Sequence, residues 1–156
     1  MSAGISVEID VTRVTGSIAR LLTQLADTTP ANRALATQIF GWVQRNFDVE
    51  GHMQTPPWVP LKPSTLEQKR KHGWSSKPLI RTGNLRQSFA QFYSRAVAGV
   101  GAQASFGVDY ALVHEKGSEH VPARPMLPSE RVVLRYAKDV YGVFVKKAIG
   151  RSGLEQ

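Results

Sequence analysis

Apolar and polar residues follow two different periods along the chain, and these periods predict where helices and strands lie. Residues 5–11 alternate between apolar and polar side chains, which is typical of a half-buried strand. Further on, apolar residues recur at helical spacing and would line one face of a helix. This stripe comprises Val14, Ile18, Leu21, Leu22 and Leu25. The helix should end before Asp27.

A second helix is predicted to begin near Pro30, because proline fits the first turn of a helix, where its missing N–H is not needed. Gly51 is a suitable end signal for it. Its apolar stripe comprises Leu35, Ile39, Trp42, Val43 and Phe47. We expect these two helices either to pack as an antiparallel pair or to flank one face of a sheet.

A proline-rich, basic connector is predicted at about residues 49–78. Its first part should be extended, because each proline fixes its own backbone angle and removes an N–H donor. The prolines of this part are Pro56, Pro57, Pro60 and Pro63. Trp58 lies among them, and we expect a tryptophan in such a connector to pack back onto the core.

The second part of the connector should contain a short helix over residues 64–72. Ser64 is a good N-cap, and Glu67 follows it at the capping-box spacing. Gly73 can end the helix. We expect its outer face to carry the three consecutive cations Lys69, Arg70 and Lys71.

The second half of the chain predicts two or three antiparallel strands, then two helices. Residues 89–93, 96–101 and 104–108 have strand-like patterns interrupted by glycines. Asp109 can cap a short helix over residues 110–115. A proline-rich loop over residues 118–128 follows, and Ser129 can cap the last helix. The apolar stripe of that helix comprises Val132, Val133, Tyr136, Val140, Val143 and Phe144.

These elements together predict the α+β class, with a small antiparallel sheet flanked by an N-terminal helix pair and a C-terminal helix. Residues 1–150 should form one domain, and residues 151–156 should form a disordered tail. A chain of 156 residues is long enough to bury a real core.

Composition narrows the classes of function. The chain has no cysteine, which excludes disulfides, thiolate metal sites and cysteine nucleophiles. The N-terminus lacks the pattern of a signal peptide, and no apolar stretch is long enough to span a bilayer, so we expect no membrane association.

Positive charge is concentrated in one segment. The net charge is +8, and residues 62–86 contain seven Lys or Arg against the single acid Glu67. Such a segment can attract nucleic acid or an acidic face of a partner protein. The alternative is a solvated basic surface with no partner.

Catalytic and metal-binding patterns are weak in this sequence. It has no Gly-x-Ser-x-Gly elbow and no phosphate-binding glycine loop. His114, Glu115 and His120 do not have the spacing of a zinc-protease helix. We therefore expect no enzyme activity, no metal and no cofactor.

Two further features suggest a shared surface. Tyr110 and His114 are four residues apart, so they should share one face of their helix. Arg124 lies between Pro122 and Pro125 on a stiff backbone. It could project to a partner at low ordering cost, or it could tether its own loop to the core.

Two blocks of motifs carry a resemblance to a known family. The first runs from Trp58-Val-Pro-Leu61 through Thr65 and Lys69 to Pro78-Leu-Ile-Arg-Thr-Gly83, Leu85-Arg86 and Ser88. The second contains Tyr110, His114, Gly117 and Pro122-Ala-Arg-Pro-Met-Leu127. In this order and spacing they resemble the phage virion morphogenesis family, which includes the tail-completion protein of P2-like phages and its counterpart in Mu-like phages. The resemblance runs from about Ile5 to about Val145.

The resemblance implies a structural protein of a phage or prophage, with a fold like that of head–tail joining proteins. It would act late in virion assembly, completing the tail or joining it to the head at the neck. The implied partners are further copies of the chain in a ring, for which a hexamer is one candidate, together with tail terminator or tube and head connector proteins. The implied location is the virion, at its neck or tail end, and the host cytoplasm before assembly.

The hypothesis that follows is that the basic segment contacts either packaged DNA, without sequence specificity, or an acidic neighbouring ring. Apolar rim residues such as Trp58 and Trp74 would anchor the contact. The competing hypothesis is a stand-alone basic nucleic-acid-binding protein. The candidate contacts are Trp58, Lys69, Arg70, Lys71, Arg81, Arg86, Tyr110, His114 and Arg124.

Overall fold

The structure is a computed structural model that describes residues 11–103 and 108–154. Within these ranges the chain forms six helices and a two-stranded sheet. The elements are α1 (Val11–Ala26), α2 (Thr29–Asp48), α3 (Pro63–Lys71), α4 (Asn84–Ser88), β1 (Phe89–Tyr93), β2 (Ala98–Ala102), α5 (Val108–Lys116) and α6 (Glu130–Ser152). The predicted α+β class is confirmed.

The sheet is an antiparallel pair of β1 and β2, in which Phe89 lies opposite Ala102 and Tyr93 lies opposite Ala98. Both strands were expected. The third predicted run, 104–108, lies outside the described residues except for Val108, which begins α5. The strand predicted at residues 5–11 also lies outside them, apart from Val11, which begins α1.

Helix α2 is the centre of the core, because it packs against both strands and against α6. Its whole predicted stripe is buried, and Pro30 lies in its first turn as expected. The C-terminal half of the stripe, from Trp42 to Phe47, lies in one cluster with Trp58, Leu85, Phe89, Ala111 and Met126. The N-terminal half, Leu35 and Ile39, lies in a second cluster with Ala31 and Val140.

Trp58 packs back onto this core, which confirms the expectation for a tryptophan in the connector. Its side chain is only 4% exposed, and its ring meets Phe47 edge-on at 5.4 Å between centroids. Its Nε1 donates to the carbonyl oxygen of Pro125 at 2.6 Å. Gly51 makes room for the ring, because a Cβ at this position would lie 2.2 Å from Trp58 Cγ.

Helix α1 has a different arrangement from the predicted helix pair, because its main packing partner is α6. Ser17 is its buried residue, and Arg20 donates from Nε and Nη2 to the carbonyl oxygen of Ser152. Successive helical residues are about 100° apart, so Ile18 points well away from Ser17. As a result the centre of the apolar stripe faces solvent at Val14, Ile18 and Leu22.

Two helices begin at other residues than predicted. Helix α3 begins at Pro63 after Lys62, so Ser64 is inside it, no side-chain cap forms, and Glu67 instead pairs with Lys71 at 3.1 Å. Helix α5 begins at Val108, so Asp109 lies within it.

The last helix, α6, follows Ser129 as expected but continues through Ser152, beyond the predicted start of a tail. Ser152 is fully buried, and the bonds from Arg20 to its carbonyl oxygen tie this last turn to α1. The sequence of the last turn alone gives no sign of this contact, because its partner is at the other end of the chain.

Candidate functional site

A cleft of about 420 Å³ lies between α3, α5, the segments around residues 59–62 and 79–81, and the loop after α5. We call it the cationic cleft. Its polar lining comprises Lys62, Thr65, Lys69, Arg81, Tyr110, His114, His120 and Arg124. Its apolar lining comprises Val59, Pro60, Leu61, Leu79, Ile80 and Pro122. Both blocks of motifs singled out in the sequence therefore meet in one place.

A groove of about 510 Å³ between α1, α2 and α6 is larger, but none of its lining residues belongs to either block of motifs. Asp27, Lys147 and Arg151 give it mixed charge. The cationic cleft is the better candidate, because residues from four separate parts of the chain bring like charges together there.

Lys69 lies on the inner side of α3, where it is 9% exposed. Its ammonium group donates to the carbonyl oxygens of Ser75, Lys77 and Ile80 at 2.8, 2.7 and 2.8 Å. Burial, and then the charge of Arg124, lower the pKa of Lys69. The prediction that Lys69 lies on the outer face of its helix is therefore wrong. Its role within the chain is to hold the segment after α3.

Arg124 is 6% exposed and donates from Nε to the carbonyl oxygen of Val59 at 3.0 Å. Burial lowers the pKa of its guanidinium group. Of the two alternatives for Arg124, the tether to its own chain is therefore present. Since the side chain also lines the cleft, the tether places a fixed positive charge there.

The loop that carries Arg124 is held by α5 at two points. The N–H of Arg124 donates to the carbonyl oxygen of His114 at 2.7 Å. The N–H of Met126 donates to Glu115 Oε2 at 2.6 Å. Burial raises the pKa of Glu115, although the bonds from Met126 and Leu127 oppose this shift. These bonds and the prolines give the wall of the cleft a defined backbone before any partner arrives.

Tyr110 and His114 share a face of α5, as their spacing predicted. Their rings meet edge-on at 4.5 Å between centroids, and Tyr110 is exposed. His114 Nδ1 is buried and has no hydrogen-bond partner among the described residues. Burial, and then Arg124, lower the pKa of His114, which favours its neutral form.

Arg81 is exposed where it lines the cleft. Its guanidinium carbon lies 3.8 Å from the centroid of the Trp74 ring, which also stacks on His72 at 4.4 Å. A guanidinium group on an aromatic face keeps its charge and gains orientation. Trp74 was expected as a rim anchor, and it is half-buried beneath Arg81.

The remaining cations of the basic segment do not form one surface. Arg86 makes a bidentate pair with Asp48 at 2.6 and 3.1 Å and also bonds Gln44. Lys71 pairs with Glu67, whereas Arg70 is exposed. Trp58, the other proposed rim residue, is in the core. The sequence could not separate these roles, because each depends on contacts that form only in the folded chain, such as the pair of Arg86 with Asp48, 38 residues away.

The electrostatic character of the cleft follows from what its lining contains. Four basic side chains line it, those of Lys62, Lys69, Arg81 and Arg124, and no acidic residue is among the described residues that do so. The two ion pairs formed by described residues, Lys71–Glu67 and Arg86–Asp48, both lie elsewhere. The positive charge of the cleft is thus uncompensated within the described chain, and an anionic group is the ligand that it suits.

No group of three or more His, Cys, Asp or Glu among the described residues is placed to hold a metal ion. None of the described helices is both long and apolar enough to cross a membrane.

Comparisons with known proteins agree with the resemblance in the sequence. A model of the phage virion morphogenesis family matches residues 9–140, a range that includes both blocks of motifs and the whole lining of the cleft. The chain is also similar to Mu-like prophage FluMu G protein 2 of Haemophilus influenzae, with 28% identity over 154 residues. That match covers 90% of this chain and 99% of the relative. No solved structure matches significantly.

Proposed function

The chain belongs to the phage virion morphogenesis family, and we propose that within virion assembly it completes the tail or joins the tail to the head at the neck. Its role there is structural rather than enzymatic. It works as a ring of identical copies, in contact with tail terminator or tube proteins on one side and head connector proteins on the other. The observation that carries the proposal is the family match over residues 9–140.

The cationic cleft supports a role in binding partners. Its residues come from both motif blocks, and they converge on a preorganised cavity instead of spreading over the surface. A cavity with fixed walls and unpaired charge favours recognition of one partner at low ordering cost. The cleft is therefore the part of the chain that we assign to contact with a neighbouring virion protein.

The competing function, a stand-alone nucleic-acid-binding protein, has less support. Binding to a DNA backbone needs cations that can reach successive phosphates. Within the basic segment, Lys69 is buried, Arg86 and Lys71 are paired with carboxylates, and Lys77 donates to the carbonyl oxygen of Asp48 at 2.7 Å. The charge that the sequence places in one run is thus largely used inside the chain.

Electron microscopy of particles made without this protein tests the proposal. We expect free, filled heads beside tails that are not joined to them, and recovery of whole virions when the wild-type gene is supplied from a plasmid. Normal virions in the absence of the protein would overturn the proposal. Heads without any tail structures in the same lysate would also contradict it, since they would place the protein at an earlier step.

A pair of variants relates this phenotype to the cleft. Arg81→Glu changes the charge of an exposed residue of the cleft, whereas Arg70→Glu makes the same change on an exposed residue outside it. We expect only Arg81→Glu to fail in plasmid rescue. Equal failure of the two variants would indicate that total charge matters and that the cleft does not.

A further inference from the structure

The cationic cleft contains buried positive charge that the described chain does not neutralise. Arg124 and Lys69 are both more than nine-tenths buried. Burial, and then the charge of Arg124, lower the pKa of both Lys69 and His114. Burying a charge without a counter-charge opposes folding, so such groups are usually paired. Lys69 has all three donors satisfied by carbonyl oxygens, which compensate its hydrogen bonds but not its charge.

Arg124 is the residue with donors to spare. Its Nε is used by Val59, and no further bond of its guanidinium group is formed with the described residues. A guanidinium group has five N–H donors in a planar fork, so the two terminal nitrogens remain for a ligand. A planar carboxylate matches that fork with two parallel bonds.

The walls of the cleft restrict what can carry the anion. They are largely apolar, with Val59, Leu79, Ile80 and Pro122 among the lining residues. A volume of about 420 Å³ is in the range of cavities that enclose a small ligand or a few side chains. A mixed lining of this kind suits an extended peptide in which acidic and apolar side chains are close together.

We propose that the cationic cleft binds a carboxylate on an extended, acidic segment of another protein, with the terminal nitrogens of Arg124 as the main donors. Arg81 and Lys62, which are exposed, attract the segment and meet its flanking acids. The side chains of Leu79 and Ile80 pack against its apolar residues. Lys69 contributes its charge through space.

A protein carboxylate fits these observations better than a nucleic-acid phosphate. The phosphates of a duplex lie on a wide, rigid surface, whereas Arg124 lines a cleft and is only 6% exposed. A side chain or a chain end can enter such a cleft, and a duplex cannot. Apolar walls would add nothing to the binding of a phosphate backbone.

This inference rests on the proposed function only in taking the partner to be another virion protein. The preference of the cleft for a carboxylate is a property of the purified chain and can be tested without particles. If the binding assay fails while the particle phenotype appears, the protein joins virion parts through another surface. If the reverse occurs, the cleft binds acidic peptides but the role in joining is wrong.

The test uses the full-length protein and fluorescence anisotropy with three labelled probes. The first is a short peptide of alternating leucine and glutamate, the second is the same peptide with glutamine for glutamate, and the third is a short DNA duplex. We expect the acidic peptide to bind and the glutamine peptide to bind at least about tenfold more weakly, the factor given by the loss of one good charged contact. Hydrogen exchange on the wild-type protein should show new protection in residues 120–124 and 110–114.

Variants locate the site and supply the control. Arg81→Glu and Lys62→Glu should each weaken binding of the acidic peptide by about tenfold. Arg70→Glu, with the same change in net charge outside the cleft, should weaken it by less than about twofold.

Three results would overturn the proposal. The first is equal binding of the acidic and the glutamine peptide. The second is an equal loss of affinity for the acidic peptide with Arg70→Glu and Arg81→Glu. The third is DNA binding that is tighter than peptide binding and that competes for the same protected segments. The hydrogen-exchange measurement needs no substitution, so a variant that fails to fold cannot leave the question open.

Discussion

Arg124 donates a hydrogen bond from Nε to the main-chain oxygen of Val59 at 3.0 Å, and so joins two proline-rich segments that are 65 residues apart in the chain. Neither segment belongs to a regular element. The bond therefore sets the distance between two walls of the cationic cleft, which packing of helices and strands alone would leave less defined.

The first prediction concerns this bond. Arg124→Gln should lower the free energy of unfolding by about 1.5–3 kcal/mol, the usual effect of losing a hydrogen bond with a charged partner. Urea unfolding followed by tryptophan fluorescence measures it. Arg131→Gln, on the exposed side of α6, is the control and should change stability by less than about 0.5 kcal/mol. Equal effects of the two substitutions would mean that the tether does not form in solution.

Lys69 and Lys71 should differ sharply although they are two residues apart. Lys69→Met leaves three carbonyl oxygens without their shared donor, and should cost about 2–4 kcal/mol. Lys71→Met removes only an exposed pair with Glu67, and should cost about 0.5 kcal/mol or less. Thermal unfolding of both variants under identical conditions gives the comparison. A larger loss of stability for Lys71→Met than for Lys69→Met would indicate that Lys71, and not Lys69, is the buried lysine.

Gly51 and Gly73 form a second matched pair. Both have positive φ, at +82° and +67°, so alanine at either should cost about 1–2 kcal/mol in backbone strain. At Gly51 the added Cβ would also meet the Trp58 ring at 2.2 Å, whereas nothing lies within 4 Å at Gly73. Gly51→Ala should therefore cost about 1–3 kcal/mol more than Gly73→Ala. The difference in urea midpoint checks this, and equal midpoints would argue against the position of Trp58.

His114 should make stability depend on pH. Its folded pKa is lowered, by burial first, from an ordinary value of 6.5, so the unfolded chain binds the proton more tightly. The free energy of unfolding should then fall as the pH drops below 6.5 and through the folded pKa, by at most about 1.4 kcal/mol per pH unit for one proton.

His114→Asn should remove this contribution from a series of urea unfolding curves measured across that pH range. His120→Asn, at an exposed histidine of the same cleft, should retain it. Parallel pH profiles of the wild type and His114→Asn would show that the imidazole is not buried in solution.

The exposed stripe of α1 gives the last prediction. Leu22 is 64% exposed, whereas Leu35 lies in the core. In dilute solution Leu35→Ala should cost about 2–5 kcal/mol. Leu22→Ala should change stability by less than about 0.5 kcal/mol. If Leu22→Ala is costly, and more so as protein concentration rises, then another copy covers this face in solution.

Periodicity was a good guide wherever burial follows from local pattern. The α2 stripe from Leu35 to Phe47 is entirely buried, and the strands predicted at residues 89–93 and 96–101 pair as β1 and β2. In α1 the same kind of stripe was correctly identified as helical, yet its centre is exposed. A pattern shows that a helix is amphipathic, but the face that is covered depends on which neighbour is present.

Local rules also failed where two signals competed at a helix start. Ser64 and Glu67 have the spacing of a capping box, but Pro63 begins α3 one residue earlier. Proline is well suited to the first helical position, so the N-cap is Lys62, two residues before the predicted Ser64. Glu67 is then one turn before Lys71 and pairs with it instead.

The sequence by itself determined the α+β class, the helical and strand segments, the resemblance to one family, and the motifs that form the cleft. Only the tertiary structure decided which cations of the basic segment are free. Lys69 is buried because α3 turns it toward three carbonyl oxygens, Arg86 is paired because α2 brings Asp48 beside it, and Arg124 reaches Val59 across a large separation in the chain. Charge can be counted along a sequence, but whether a charge is available depends on the contacts that its side chain makes, and those exist only once the chain has folded.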